Sequence, residues 1–292
     1  MEKIQSAIAK ARAARLAAQS NAAVPSAVGP ETAVQATAPT PPGLEEGRPD
    51  PAAVAALWSA LPGFAPSPTL LVNNHIVTAN ASKEAVPFDL MRTRLLQQMR
   101  TNNWRRVAIT SPGPSCGKST IALNMGMSLA RQPDLRTVLA EMDMRRPSLS
   151  RMLGLRTPQS FARVLEGLDP LAAQAIRIGA NLAISTCHAP HPHAAELLHS
   201  PSVATALDRI EREYDPSIMI FDMPPMFVSD DAMAVIGQMD CVLIIAAAEA
   251  TKIKEIDRCE REIATQTNVL GVVLNKCRYM EEESYGYDYY GG

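Results

Sequence analysis

Residues Gly113 to Thr120 read G-P-S-C-G-K-S-T, and each fixed position of the pattern G-x-x-x-x-G-K-[ST] supplies one piece of phosphate chemistry. Gly117 lets the backbone wrap closely enough to turn its N–H groups toward phosphate oxygens. Lys118 brings a charge that reaches the β and γ phosphates. The Ser119 hydroxyl can complete the shell of a Mg²⁺ ion whose other ligands are water and phosphate oxygen. Gly113, Pro114, Ser115, Cys116 and Thr120 make up the rest of the expected ATP-binding loop. Two acidic segments come after it. Ile218-Met-Ile-Phe221 runs into Asp222-Met-Pro-Pro225, and Thr137-Val-Leu-Ala140 runs into Glu141-Met-Asp143-Met-Arg145. An apolar run that ends in a carboxylate puts that carboxylate at the carboxyl edge of a buried parallel strand, where doubly wound folds bind their ligands. Asp222 is then the natural partner of the Mg²⁺, from behind its first layer of ligands or through water. Glu141 and Asp143 fall on one side if the strand runs through both.

The elements needed to position these residues are present in order. Val107 to Thr110 is a strand-type apolar run, and Leu123, Met127 and Ala130 give helical spacing after the loop. Further strands are predicted near 136–141, 181–185, 217–221, 241–246 and 269–274, alternating with helices such as 119–131, 195–211 and 252–266. Phe88, Met91, Leu95 and Met99 mark one face of a helix ahead of the first core strand, and Leu70 to Val77 reads as an edge strand or a latch. This alternation predicts an α/β fold with a mostly parallel sheet flanked by helices on both faces.

Composition bounds the remainder. The chain has 292 residues, 47% of them hydrophobic, enough for one good core, and its net charge of −2 exerts no general pull on nucleic acid. No apolar run approaches the ~18 residues of a membrane span, so membrane contact would run through a partner or a surface helix. Residues 1–20 pattern as a basic amphipathic helix with a mostly alanine apolar face. Residues 21–70 hold ten of the 23 prolines and read as a disordered linker, with one short helix at 52–60. Residues 71–278 form the nucleotide-binding domain and 279–292 a tail. Five cysteines without C-x-x-C spacing, and no signal peptide, fit a reduced cytoplasmic protein. His188, His191, His193 and His199, with Cys187, sit in a stretch that reads as a solvated loop, with metal binding as the alternative.

The tail holds five of the six tyrosines, Tyr279, Tyr285, Tyr287, Tyr289 and Tyr290, interleaved with glycines and joined by Glu281-Glu-Glu283. A nucleotide site in the same chain makes them candidate phosphoacceptors. The order of P-loop, D-x-D-x-R-type segment, apolar-D-x-P-P segment and terminal tyrosines, over roughly residues 84 to 292, resembles the cytoplasmic domain of bacterial tyrosine kinases. These are P-loop kinases of the ParA/MinD-like branch that serve exopolysaccharide and capsule production. The resemblance implies ATP and Mg²⁺ as cofactors, with Lys118 and Ser119 on nucleotide and metal and Asp222 as the Walker B acid. It makes Asp143 the second acid and metal organiser, Arg145 the arginine after it and one of the ATP-binding residues, and Asn275 an adenine contact. It also implies autophosphorylation of the tail in trans within a homo-oligomer, a membrane-embedded polysaccharide co-polymerase as activator, and a cytoplasmic location peripheral to the plasma membrane.

Several positions depart from the family pattern. The first acid of the extra segment, a candidate base toward tyrosine, is Glu141 rather than Asp. The ring-forming E-x-x-R-x-x-R motif aligns with Val86, Asp89 and Arg92, and only its last member is kept. Two other readings stay open: a ParA/MinD-like ATPase switch, although Pro114 stands where such proteins carry a lysine, and a weakened nucleotide-binding scaffold.

Overall fold

The computed structural model describes residues 49–278. The expected helix at 1–20, most of the linker and the tyrosine tail fall outside them. The described residues belong to one compact unit, Gly47–Gly292.

Seven strands form one sheet: β1 (Arg106–Thr110), β2 (Thr137–Glu141), β3 (Ile176–Ile178), β4 (Leu182–Ser185), β5 (Ile218–Asp222), β6 (Cys241–Ala247) and β7 (Asn268–Asn275), in spatial order β3-β4-β2-β5-β1-β6-β7. Every neighbouring pair is parallel except β3 with β4. Apart from the run that becomes β7, the continuous apolar runs predicted as strands are buried on both faces, as a helix-covered parallel sheet requires. β2, β4, β5 and β6 are buried throughout. β7 closes one edge, and Val272 and Leu274 on it are exposed. β3 escaped the sequence reading because Ile176-Arg-Ile178 is too short to show a period. It is set by the hairpin that turns at Gly179 (φ +62°) and by Pro62 and Phe64, which hydrogen-bond Arg177.

The helices are α1 (Pro51–Ala60), α2 (Pro68–Asn73), α3 (Val86–Thr101), α4 (Lys118–Ala130), α5 (Leu149–Leu153), α6 (Phe161–Leu165), α7 (Ala194–Leu198), α8 (Ser202–Tyr214), α9 (Asp231–Val235) and α10 (Ile253–Ile263). The single helix expected at 195–211 is two, because Pro201 interrupts it: proline lacks the N–H that would continue the ladder. The segment expected as an edge strand begins instead as α2, started by Pro68 at its first turn. Residues 75–78 then serve as the latch. The Val77 N–H donates to Asn124 Oδ1 (2.9 Å), Thr78 Oγ1 donates to the Asn124 carbonyl (2.7 Å), and Asn124 Nδ2 donates to the His75 carbonyl (2.9 Å). Because Asn124 lies in α4, the latch braces the helix that begins at Lys118.

The stretch assigned to the linker is ordered from α1 onward. Asp50 caps that helix by accepting from the Ala52 N–H (3.0 Å), and Pro51 occupies its first turn. Val54, Trp58 and Leu61, at helical spacing, enter the core beneath the proline- and alanine-rich composition. Trp58 Nε1 donates to the Tyr214 carbonyl at 2.8 Å, and the two rings meet edge to face with centroids 6.2 Å apart. Trp58→Ala should therefore lower stability by about 3–5 kcal/mol, with Trp58→Phe intermediate. Urea unfolding checks this, and an unshifted midpoint for the alanine variant would show that α1 contributes nothing to the core.

Candidate functional site: a phosphate-binding loop facing buried acids

The site arises from the strand order. β5 lies between β1 and β2, so the loop after β1, Asp222 at the end of β5 and Glu141 at the end of β2 meet at one carboxyl edge. Glu141 and Asp222 are direct register partners. The segment after Asp222 is zipped to the start of the P-loop: the Met223 N–H donates to the Ile109 carbonyl, the Met226 N–H to the Ser111 carbonyl, and Thr110 Oγ1 to the Pro224 carbonyl (2.7 Å).

All of Gly113 to Thr120 lies in or directly after the loop, which runs into α4 at Lys118. Gly117 adopts φ +93°, and a Cβ there would stand 2.3 Å from Asn275 Nδ2, so both conformation and space demand glycine. Ser115 also has positive φ, which helps curl the loop's N–H groups into a nest. Asn275 Nδ2 donates to the Cys116 carbonyl at 2.9 Å, pinning the loop to the end of β7. The amide that the family resemblance aims at adenine is thus engaged with the loop. Beside it, a cleft of about 660 Å³ opens between Gly113–Cys116, the segment Ala247–Thr251 after β6, and Lys276 with Arg278. Its size suits a nucleotide.

The acids separate into distinct environments. Asp222 is fully buried, and neither carboxylate oxygen has a hydrogen-bond partner among the described residues. Burial pushes its carboxyl up to about 7, while the Lys118 ammonium and the Ser119 hydroxyl pull the other way. An orphaned buried carboxylate beside a serine hydroxyl is a hard-oxygen donor pair that fits Mg²⁺, which keeps several waters and uses few protein ligands. Asp143 is nearly buried, and burial raises it against the pull of Lys118. Its Oδ1 accepts from the Arg146 N–H at 3.2 Å.

Glu141 differs from both. Its Oε1 accepts from the N–H groups of Ser148 (2.5 Å) and Leu149 (2.9 Å), and its Oε2 from the Cys187 N–H (2.8 Å). Burial and the facing Asp222 push it up to about 8 against those three bonds. β2 stops at Glu141, so the strand alternation expected to pair it with Asp143 does not reach that far.

Arg145 is held by Asp231 through two bonds, 2.5 and 3.0 Å, with Asp231 buried and the arginine half exposed. Asp231 was missed in the sequence. Its signal was the acidic pair Asp230-Asp231 opening a helix shortly after the D-x-P-P segment. Arg92, the surviving member of the ring motif, donates to Asp89 and to the carbonyl and hydroxyl of Ser128 on α4. His191 pairs with Glu166 at 3.3 Å, and its N–H donates to the Met144 carbonyl. Burial pushes the Cys187 thiol up to about 12, so it offers no thiolate. Among the described residues no three His, Cys, Asp or Glu side chains converge on a metal-binding point.

A strand–loop–helix cradle on a mostly parallel sheet, with a buried acid at the end of the neighbouring strand, defines the P-loop NTPase fold. The chain belongs to the ParA family of these proteins: a family profile described as "ParA: NUBPL iron-transfer P-loop NTPase" matches residues 104–288. It is also a distant homologue of the cytoplasmic P-loop domain of bacterial tyrosine kinases. The putative tyrosine-protein kinase CapB of Staphylococcus aureus is 26% identical over 205 residues, which cover 69% of this chain and 87% of CapB. The succinoglycan biosynthesis transport protein ExoP of Rhizobium meliloti (strain 1021) is 28% identical over 210 residues, 69% of this chain and 26% of ExoP. The kinase domain of the Escherichia coli tyrosine kinase ETK superposes with a TM-score of 0.63 at 23% identity, covering 77% of this chain and 86% of that domain. The chain thus spans about a quarter of its longer relatives and most of the shorter ones.

The unpaired acid has a measurable cost. Asp222 holds its proton in the folded protein up to about pH 7 but loses it near 3.8 when unfolded. The folded state therefore binds the extra proton between these values, and stability falls as pH rises through that window. Asp222→Asn removes the effect, so at pH 8 the nucleotide-free variant should be more stable than wild type by about 1–4 kcal/mol, while losing Mg²⁺-dependent nucleotide binding. Thermal unfolding at pH 4 and pH 8 checks this, and a variant destabilised at pH 8 would contradict it.

Proposed function

We propose that the chain is an ATP-dependent protein-tyrosine autokinase that phosphorylates its own tail and regulates exopolysaccharide or capsule production. The observation that carries this reading is Asp222, buried with both oxygens unpartnered beside Lys118 and Ser119, in a chain that carries five tyrosines between residues 279 and 290.

Ser119 and Asp222 would hold Mg²⁺, with Asp143 close by, and the ion when bound supplies charge neutralisation across the β and γ phosphates. The loop N–H groups between Gly113 and Thr120 orient the phosphates, and Lys118 tracks the charge that builds on the transferred group. Asp143, facing Lys118, is the acid best placed to organise the acceptor hydroxyl. Arg145, fixed by Asp231, keeps the 143–147 loop and its cation at the rim of the site. A tyrosine of a second copy supplies the attacking oxygen, and its proton passes to the Asp143 carboxylate as the new P–O bond to the γ-phosphoryl group forms and that group's bond to the ADP oxygen breaks. The distance between acceptor and phosphate is then set by positioning, which bears most of the catalytic load.

The relatives support the physiological setting. Similarity to ExoP, a succinoglycan biosynthesis transport protein, favours an activator within membrane-embedded polysaccharide machinery, and with it a position for the chain at the inner face of the plasma membrane. No helix among the described residues is long and apolar enough to cross a membrane. The match to the ParA family profile favours one second reading, an ATPase switch that cycles between assemblies and phosphorylates nothing.

Mass spectrometry of the tail after incubation with Mg-ATP separates the two. Phosphotyrosine among Tyr279 and Tyr285 to Tyr290 in wild type, absent in Lys118→Met, is the expected result. ADP release with an unmodified tail, even with the membrane partner added, would establish the switch instead.

A further inference from the structure

The family resemblance makes Glu141 a candidate proton acceptor, but its surroundings fit another task. Its side chain is fully buried, and both oxygens are taken by backbone N–H groups, Ser148 and Leu149 on one and Cys187 on the other. Ser148 and Leu149 are the cap and first residue of α5, whose early N–H groups have no acceptor within the helix. Cys187 lies just past the end of β4. One carboxylate at the start of the 142–147 loop thus closes that loop at its far end and ties it to the neighbouring strand. The loop carries Asp143, whose Oδ1 accepts from Arg146, and Arg145, paired with Asp231.

We propose that Glu141 is a positioning residue, a staple that fixes the loop presenting Asp143 and Arg145, and that it does not accept the substrate proton. The proposal rests on the kinase reading only for its activity readout. The glutamate in place of the family's aspartate is then a requirement of this chain: an aspartate, shorter by about 1.5 Å, cannot reach Ser148, Leu149 and Cys187 together.

The two roles predict opposite orders of activity for two variants of the full chain. As a base, Glu141→Asp keeps the reacting carboxylate and Glu141→Gln loses about 10²–10⁴-fold in rate. As a staple, Glu141→Gln keeps an oxygen acceptor for Ser148 and Leu149, gives up only the Cys187 bond and stays within about tenfold of wild type, whereas Glu141→Asp lets the loop shift and loses about 10- to 100-fold. The experiment measures tail phosphorylation at saturating Mg-ATP together with deuterium exchange of the peptides containing Ser148, Leu149 and Cys187. Rescue by glutamine, with faster exchange at those amides in the aspartate variant, is the expected result. An inactive glutamine variant beside an active aspartate variant, or unchanged exchange in Glu141→Asp, would overturn the proposal. The exchange measurement needs no turnover, so it decides the staple even if wild type leaves its tail unmodified, a result that would remove the kinase reading alone.

Discussion

Glu141 and Asp222 face each other across neighbouring parallel strands at the centre of the sheet, both fully buried. Two facing acids in so little solvent resist ionisation together, and burial raises both; the fold surrounds them differently. Glu141 receives three backbone N–H groups from the surrounding loops. Asp222 receives none, and only Lys118 and Ser119 oppose its burial. The first acid organises protein, and the second is left short of a positive partner that a metal ion can supply.

Much of the rest supports that asymmetry. The P-loop must hold Lys118 against Asp222, and it is fixed from below by the latch on Asn124 and at its crest by Asn275 on the Cys116 carbonyl. The zipper between β1 and the segment after Asp222 keeps the strand ends level, so the acid cannot retreat toward solvent. On the far side, the Arg145–Asp231 pair and the Asp143–Arg146 contact hold the loop that Glu141 closes. In this arrangement the side chains at the site are tied by hydrogen bonds to several elements of the fold at once, which suits chemistry that depends on placement.

The phosphate loop, the parallel sheet and the acid at the end of β5 were legible because each obeys a local rule: glycine spacing, unbroken apolar runs, a carboxylate at a strand end. The features that escaped depend on contacts distant in sequence. The proline-rich stretch concealed the core role of α1 because its three buried residues matter only once Tyr214 is there to meet Trp58. Leu70 to Val77 has strand composition, yet Pro68 starts a helix there and Asn124 captures residues 75–78. The partners of Arg145 and Asn275 are likewise distant in sequence: Asp231 holds the first, and the second bonds the Cys116 carbonyl of the loop. Arg92 was read through a motif of assembly, while its guanidinium is bonded within its own subunit.

Membership of the ParA family and distant homology to the bacterial tyrosine kinases agree on a P-loop protein that binds nucleotide. Asp222, on this view, is kept unpartnered for a metal bound with nucleotide. Calorimetric titration of ADP into the full chain, with Mg²⁺ and then with EDTA, tests that claim most directly. Mg²⁺ should tighten binding by about tenfold or more, an added 1.4 kcal/mol or greater, and this gain should vanish when Asp222 is replaced by asparagine. Equal affinity with and without Mg²⁺, or a gain that survives the replacement, would contradict it.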